Sequence, residues 1–206
     1  LYYTYEDGTV ALDHISFRAE RGKMTGILGA NGAGKSTLFL NLNGVLTPAG
    51  GEVRVDGVPV TYDRKGLISV RKQVGIVFQD PDDQLFSADV YRDISFGGVN
   101  LGLPEEEVRR RVDEAMEWTG VTHLKGKPTH ALSFGQKKRV AIAGVLVMEP
   151  SVVILDEPTA GLDPQGVSDI MRLLAELRGR LGMTIIIATH DMDIVPLYCD
   201  YAYLLN

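Results

Sequence analysis

The residues with the plainest chemistry are Gly29, Ala30, Asn31, Gly32, Ala33, Gly34, Lys35, Ser36 and Thr37. The first eight fit Gly-x-x-x-x-Gly-Lys-Ser/Thr, a spacing suited to a phosphate chain. Glycines let the backbone curl until successive N–H groups point at one centre, and a helix starting there adds the positive end of its dipole. Lys35 supplies a point charge for the β- and γ-phosphates, and the Ser36 hydroxyl can ligate Mg²⁺. A glycine-rich turn that merely carries Lys-Ser is the competing reading. The flanking elements oppose it: Met24–Leu28 is a compact apolar run that reads as a strand, and residues 35–43 have helical character.

A second chemical feature is the apolar run 152–155, which ends in Asp156 and Glu157. Charges at the end of a buried strand are costly unless they hold a cation or do chemistry. Successive strand residues point opposite ways, which predicts different tasks for the two acids. Asp156 is assigned to magnesium, directly or through water, and Glu157 to polarising an attacking water as general base. An acidic strand end that only caps the turn at Pro158 is the plainer alternative.

A third is Leu132-Ser133-Phe134-Gly135-Gln136, before a helical run predicted over 137–148. Ser133 is a good N-cap, and Gly135 would allow a ligand close to the helix terminus. Lys137, Lys138 and Arg139 crowd the first turn, where the dipole disfavours cations by roughly 0.3–1 kcal/mol each. Such a placement makes sense if a polyanion binds there, although the three side chains cannot all face it. One nucleotide loop plus a second anion-ready helix end suggests that the second completes a nucleotide bound by another copy.

These residues need a scaffold of strands and helices. Residues 1–5 and 10–18 read as a small antiparallel sheet around a turn at Glu6-Asp7-Gly8. Residues 50–60 and 73–78 read as strands, as do 152–155, 184–188 and 201–205, with helices over Glu105–Thr119 and 165–181. Unalternating apolar runs separated by helices imply an α/β fold whose parallel sheet is covered on both faces. Glu105, Glu106 and Glu107 each precede an arginine by four residues, which reads as a solvated helix face.

Composition narrows the possibilities. The chain has 206 residues, is 45% hydrophobic and 23% charged, and carries a formal charge of −6, a poor basis for wrapping a polyanionic duplex. The single cysteine, Cys199, excludes an intrachain disulfide and points to a reducing compartment; the four histidines lack metal-ligand spacing. The longest apolar stretch, 140–148, is far short of the roughly 20 residues of a bilayer span. No signal-peptide pattern argues for secretion.

The ordered set 29–37, Gln79, 132–136, 152–157, Ala160-Gly161-Leu162-Asp163 and His190 resembles the nucleotide-binding subunit of ABC transporters, over essentially the whole chain. The resemblance implies a P-loop NTPase of ABC-ATPase type: a mainly parallel core, a small antiparallel β subdomain and a helical subdomain at about 81–150. It implies one ATP-binding domain over 1–206, lacking a C-terminal extension that family members carry, with ATP and Mg²⁺ as ligands. By the same resemblance, Tyr5 stacks on adenine, with Tyr3 as fallback. Gln79 reaches Mg²⁺ and the attacking water, and His190 contacts the γ-phosphate. Ser133, Gly135 and Gln136 form the signature that acts in trans, and Asp163 is the cross-dimer aspartate. The family signature commonly reads Leu-Ser-Gly-Gly-Gln, so Phe134 is a departure that leaves the loop's contacts open.

Residues 79–87, 93–103 and 133–144 further resemble the energy-coupling-factor importers, particularly the cobalt and nickel branch. That implies a peripheral ATPase on the cytoplasmic face of the membrane. Its partners would be a second ATPase subunit (self or paralogue), a transmembrane coupling subunit and a membrane substrate-capture subunit. The alternative is a non-transport member acting on nucleic acid. Such proteins usually insert coiled coils or zinc modules between the phosphate loop and the signature. Here that stretch has no cysteine and no sustained heptads.

Overall fold

A computed structural model describes residues Leu1–Asn206. The N-terminal segment gives an antiparallel pair, β1 (Tyr3–Thr4) and β2 (Val10–Leu12), and β3 (Met24–Leu28) leads through the glycine-rich loop into α1 (Lys35–Leu42). The sheet expected over 10–18 stops early, because His14 takes a left-handed φ of 52° that breaks extended pairing. The strand expected over 50–60 is a hairpin, β4 (Arg54–Val55) and β5 (Val58–Pro59). Asp56 and Gly57, both at positive φ (49° and 78°), form the two-residue turn that suits a hairpin's twist.

Two helices absent from the sequence reading follow. The first, α2 (Arg64–Gln73), is capped by Asp63, whose side chain accepts from Gly66 N at 3.0 Å, and leads into β6 (Val74–Val77). The second, α3 (Val90–Asn100), has Asp89 as its cap and contains Gly97 and Gly98. These glycines lower helix propensity, yet they let the helix pack closely: a Cβ on Gly97 would lie 2.9 Å from the Met148 side chain. Next come α4 (Glu105–Thr119), closed by Gly120 in the left-handed region, and α5 (Phe134–Leu146). The latter starts three residues before the expected position, because Ser133 and Gln136 form a reciprocal capping box. The chain finishes with β7 (Val152–Asp156), α6 (Pro164–Leu181), β8 (Thr184–Thr189), the short α7 (Val195–Tyr198) and β9 (Tyr201–Leu204).

Five strands make one parallel sheet in the order β6-β7-β8-β3-β9. Alternate residues feed opposite faces. Met24, Val153, Leu155, Ile185 and Ile187 join a core shared with α3, α4, α5 and α6, while Ile27, Ile154, Ile186 and Ala188 pack with Leu38, Phe39 and Val70 on the other side. Burying each of the larger of these side chains stabilises the fold by about 1.5–3 kcal/mol. The parallel arrangement brings the C-terminal ends of β3, β6, β7 and β8 to one edge, where open α/β sheets take their ligands.

Candidate phosphate and hydrolysis site

The glycine-rich loop leaves the end of β3. Gly32 and Gly34 hold left-handed φ values of 85° and 92°. At Gly34 a side chain is excluded twice over, by that φ and by Ala11 O, which would lie 2.4 Å from a Cβ. Gly34 is also the N-cap of α1 and offers it no side-chain hydrogen bond, which leaves the first-turn N–H groups available to an anion. The buried Lys35 Nζ donates to the carbonyls of Gly29 (2.8 Å) and Ala30 (3.1 Å), arching back over the loop.

The ends of β7 and β8 complete the cluster. Ser36 Oγ donates to Asp156 Oδ2 at 2.5 Å, linking α1 to β7. Glu157 sits at a positive φ of 45° with its side chain 6% exposed, and its two oxygens have separate neighbours. Lys35 Nζ lies 3.7 Å from Oε1 and His190 Nδ1 lies 3.0 Å from Oε2. Lys35 is too far away to donate and His190 makes no hydrogen bond, so both oxygens of this buried carboxylate lack one. An unsatisfied buried acid costs stability, and such groups collect where they have work to do. Burial also pushes the Asp156 carboxyl above its usual range; the Glu157 charge adds to this, against the Ser36 bond and the Lys35 and Lys138 charges. A cation beside Asp156 would reverse that shift.

Hard oxygens converging at Ser36 and Asp156 fit magnesium, which keeps waters and is commonly held through one or two carboxylates plus phosphate oxygens. No group of three or more His, Cys, Asp or Glu side chains is arranged to hold a metal ion by itself. Gln79 lies just past β6 and lines a cleft of about 630 Å³ with Asp156, Phe134, Ala160 and Gly161. Tyr5, 39% exposed, shares a 2.9 Å hydrogen bond between its hydroxyl and that of Thr37, and its ring meets Tyr3 edge-on at 5.1 Å. This places both aromatics next to the start of α1, with Tyr5 tied to the phosphate loop.

Other expected residues are engaged with their own helices. Ser133 Oγ accepts from Gln136 N at 3.3 Å and Gln136 Oε1 from Ser133 N at 3.0 Å; Gly135 follows in the first turn of α5. Asp163 caps α6, accepting from Gly166 N at 2.8 Å.

The three cations at the start of α5 have partners within the chain, which removes the reason for expecting a polyanion on them. Lys137 pairs with Asp82 at 2.5 Å. Lys138 donates to Gln79 O at 3.0 Å and Glu157 O at 3.4 Å, and Arg139 donates to Thr119 O at 3.0 Å. Burial pulls the Lys138 ammonium down to about 8, against the charges of Asp80, Glu157 and Asp156. Sequence reasoning singled out Lys138 but missed its partners, the Gln79 and Glu157 carbonyls. Their signal was present, since a cation placed against a helix dipole requires compensation from somewhere.

The ABC transporter family profile matches residues 12–160. Energy-coupling factor transporter ATP-binding protein EcfA2 of Clostridium perfringens is 64% identical over 206 residues, covering 100% of this chain and 72% of its own length. A solved structure of cbiO1 from Clostridium perfringens, part of the ABC transporter complex cbiONQ, aligns with a TM-score of 0.92 at 64% identity over 100% of this chain and 82% of that one. The dimeric structure of the ATP-binding cassette MJ0796 in a post-hydrolysis state with ADP and Pi gives 0.87 at 27% identity, over 100% of this chain and 91% of that one. No helix of this chain is long and apolar enough to cross a membrane. The chain therefore belongs to the ABC transporter family, among its energy-coupling factor transporter ATP-binding proteins, and is an ATP-binding ATPase.

Proposed function

We propose that two copies of this chain, or this chain and a close paralogue, close head to tail around two Mg-ATP molecules and so power an energy-coupling-factor importer. Each ATP lies between residues 29–37 of one subunit and Ser133, Gly135 and Gln136 of the other. Asp163 reaches across the dimer. The cargo is cobalt or nickel ion, captured by a separate membrane protein, and a transmembrane coupling subunit receives the motion at the cytoplasmic face. Residues 1–206 act as one nucleotide-binding unit with a helical arm at about 81–150. Similarity to cbiO1 of the cbiONQ complex supports this branch. The alternative clamp on nucleic acid is favoured by no observation, and the charge of −6 opposes it.

The observation that carries this reading is Glu157: a buried carboxylate with two undonated oxygens, held between Lys35 and His190 beside the Ser36–Asp156 pair. In the proposed reaction Glu157 accepts a proton from water as the water oxygen attacks the γ-phosphorus, the bond to the β–γ bridging oxygen breaks and ADP leaves with that oxygen, and His190 contacts the γ-phosphate. Lys35 trades its bonds to Gly29 and Ala30 for β- and γ-phosphate oxygens, the α1 N-terminus cradles the phosphates, and Tyr5 stacks on adenine. Ser36, Asp156 and Gln79 would hold magnesium, which when bound neutralises charge on the phosphate oxygens.

Replacing Glu157 by Gln removes the proton acceptor and keeps the shape. Glu157→Gln is expected to bind ATP, accumulate as a closed dimer on gel filtration and lose roughly 10² to 10⁴ in turnover. Wild-type turnover in that variant would overturn the assignment of the base. Copurification from membranes, followed by uptake of labelled cobalt and nickel, tests the partners and the cargo.

A further inference from the structure

We propose that Lys138 is a positioning residue that ties the signature loop of this chain to its own hydrolytic residues. Each chain's phosphate site then sets the geometry its signature offers to the partner's nucleotide. The inference rests on the shared-site dimer proposed above and adds a route by which its two sites communicate.

Lys138 is 3% exposed. Its ammonium donates to the backbone oxygens of both Gln79 and Glu157, and it lies 5.1 Å from the centroid of the Phe134 ring. Phe134 in turn covers Gly161, where a Cβ would lie only 2.9 Å from the ring's Cε1. One residue away, Lys137 holds Asp82. The first turn of α5 is thus fastened at Gln79, Asp82, Glu157 and Gly161.

Separating these contacts would leave a buried ammonium without acceptors, which costs far more than moving the whole assembly together. A shift of the Gln79 or Glu157 backbone as ATP binds or is hydrolysed therefore displaces Lys138, and with it Phe134 and the signature. The open and closed dimers supply the two states that such a link can bias. Phe134 takes part here as the ring between Lys138 and Gly161, a contact that a glycine at this position could not make.

The test uses dimers with a single hydrolytic site, made by giving one chain Glu157→Gln. Lys138→Met is placed either in the chain whose Glu157 is intact or in the Glu157→Gln chain, which contributes the signature to the working site. A coupling residue lowers turnover in both arrangements, by about tenfold each, within the range of measured coupling between sites. ATP affinity at the phosphate loop of the Lys138→Met chain stays unchanged. A residue that only props up its own Glu157 lowers turnover in the first arrangement alone, and that outcome, or no effect in either, overturns the proposal.

Asp82→Asn guards against misfolding of Lys138→Met, because this carboxylate is exposed and its loss should leave the fold intact. In the signature-contributing chain it should lower turnover about two- to threefold, in keeping with a surface ion pair. Unchanged turnover there counts against the linkage. The shared-site reading is checked independently by mixing Lys35→Ala with Ser133→Arg chains. Recovery of one active site together with no effect of Lys138→Met on the signature arrangement overturns the coupling alone. No recovery overturns both.

Discussion

Two helices of this molecule begin where an anion is proposed to bind, and they begin differently. The first turn of α1 starts at a left-handed glycine that provides no side-chain cap, while α5 starts at a serine whose hydroxyl, with the Gln136 amide, closes a complete capping box. The open start depends on a ligand for its unsatisfied N–H groups and is shaped around one; the closed start is stable by itself and can wait for one. That contrast matches the proposed division of labour, in which each chain holds its own nucleotide on α1 and presents α5 to its partner's.

The contrast breaks most sharply at Lys35. Lys35→Ala removes the charge that completes the open start, and calorimetry should show ATP affinity lower by about 10²-fold or more, in line with truncating a buried charged contact. Gly34→Ala tests the conformation rather than the charge. An alanine there meets the left-handed penalty of roughly 1–2 kcal/mol and the Ala11 carbonyl, so thermal unfolding should show a loss of about 2 kcal/mol or more, with weaker ATP binding.

At the closed start the expected effect is smaller. Ser133→Ala should cost about 1 kcal/mol of stability through the lost cap. Titration of the isolated subunit should find its own ATP affinity unchanged, while turnover of the dimer falls. A drop in that subunit's own affinity would show that Ser133 serves its own nucleotide.

A third helix start, α4, serves as a baseline. Its first turn carries Glu105, Glu106 and Glu107, which suit the helix dipole without any ligand, and Arg110 and Arg111 hold the Glu107 carboxyl down at about 2. A carboxyl lowered in the folded state stabilises above its unfolded value of 4.5, and the contribution fades as pH falls towards 2. Glu107→Gln should therefore be slightly less stable than the wild type at neutral pH, with the two converging in acid unfolding curves across that window. The pairing is exposed and screened, so turnover should not change.

Much of this was legible in the sequence because the informative residues are contiguous. Residues 29–37 and 152–157 each pair an apolar strand with its chemistry, and the parallel sheet follows from such runs. The helix α2 was not read, because its ten residues carry four cations and few apolar positions; Asp63 was the available signal. The helix α3 was hidden by Gly97 and Gly98, whose reason is close packing on Met148, Val147 and Val108, contacts no local pattern displays. At 105–111 the expected pairing holds for Glu105 with Arg109 and Glu107 with Arg111, whereas Arg110 turns to Glu107 and Glu114. The roles of Lys137, Lys138 and Arg139 depend on Asp82, Gln79, Glu157 and Thr119, partners that only the tertiary fold brings near.

The place of β3 in the sheet has a consequence for how the protein is made. This early strand lies between two much later ones, β8 and β9, and Met24 N bonds to an Asp200 oxygen from 176 residues away. At the other end of the strand, Leu205 N donates to Leu28 O, and the Leu205 carbonyl would lie 2.8 Å from a Cβ on Gly29, the first residue of the phosphate loop. During synthesis the loop emerges well before the wall it rests against. Nascent chains short of β9 therefore carry the phosphate loop without this support, and they are expected to bind ATP more weakly than chains that extend past that strand.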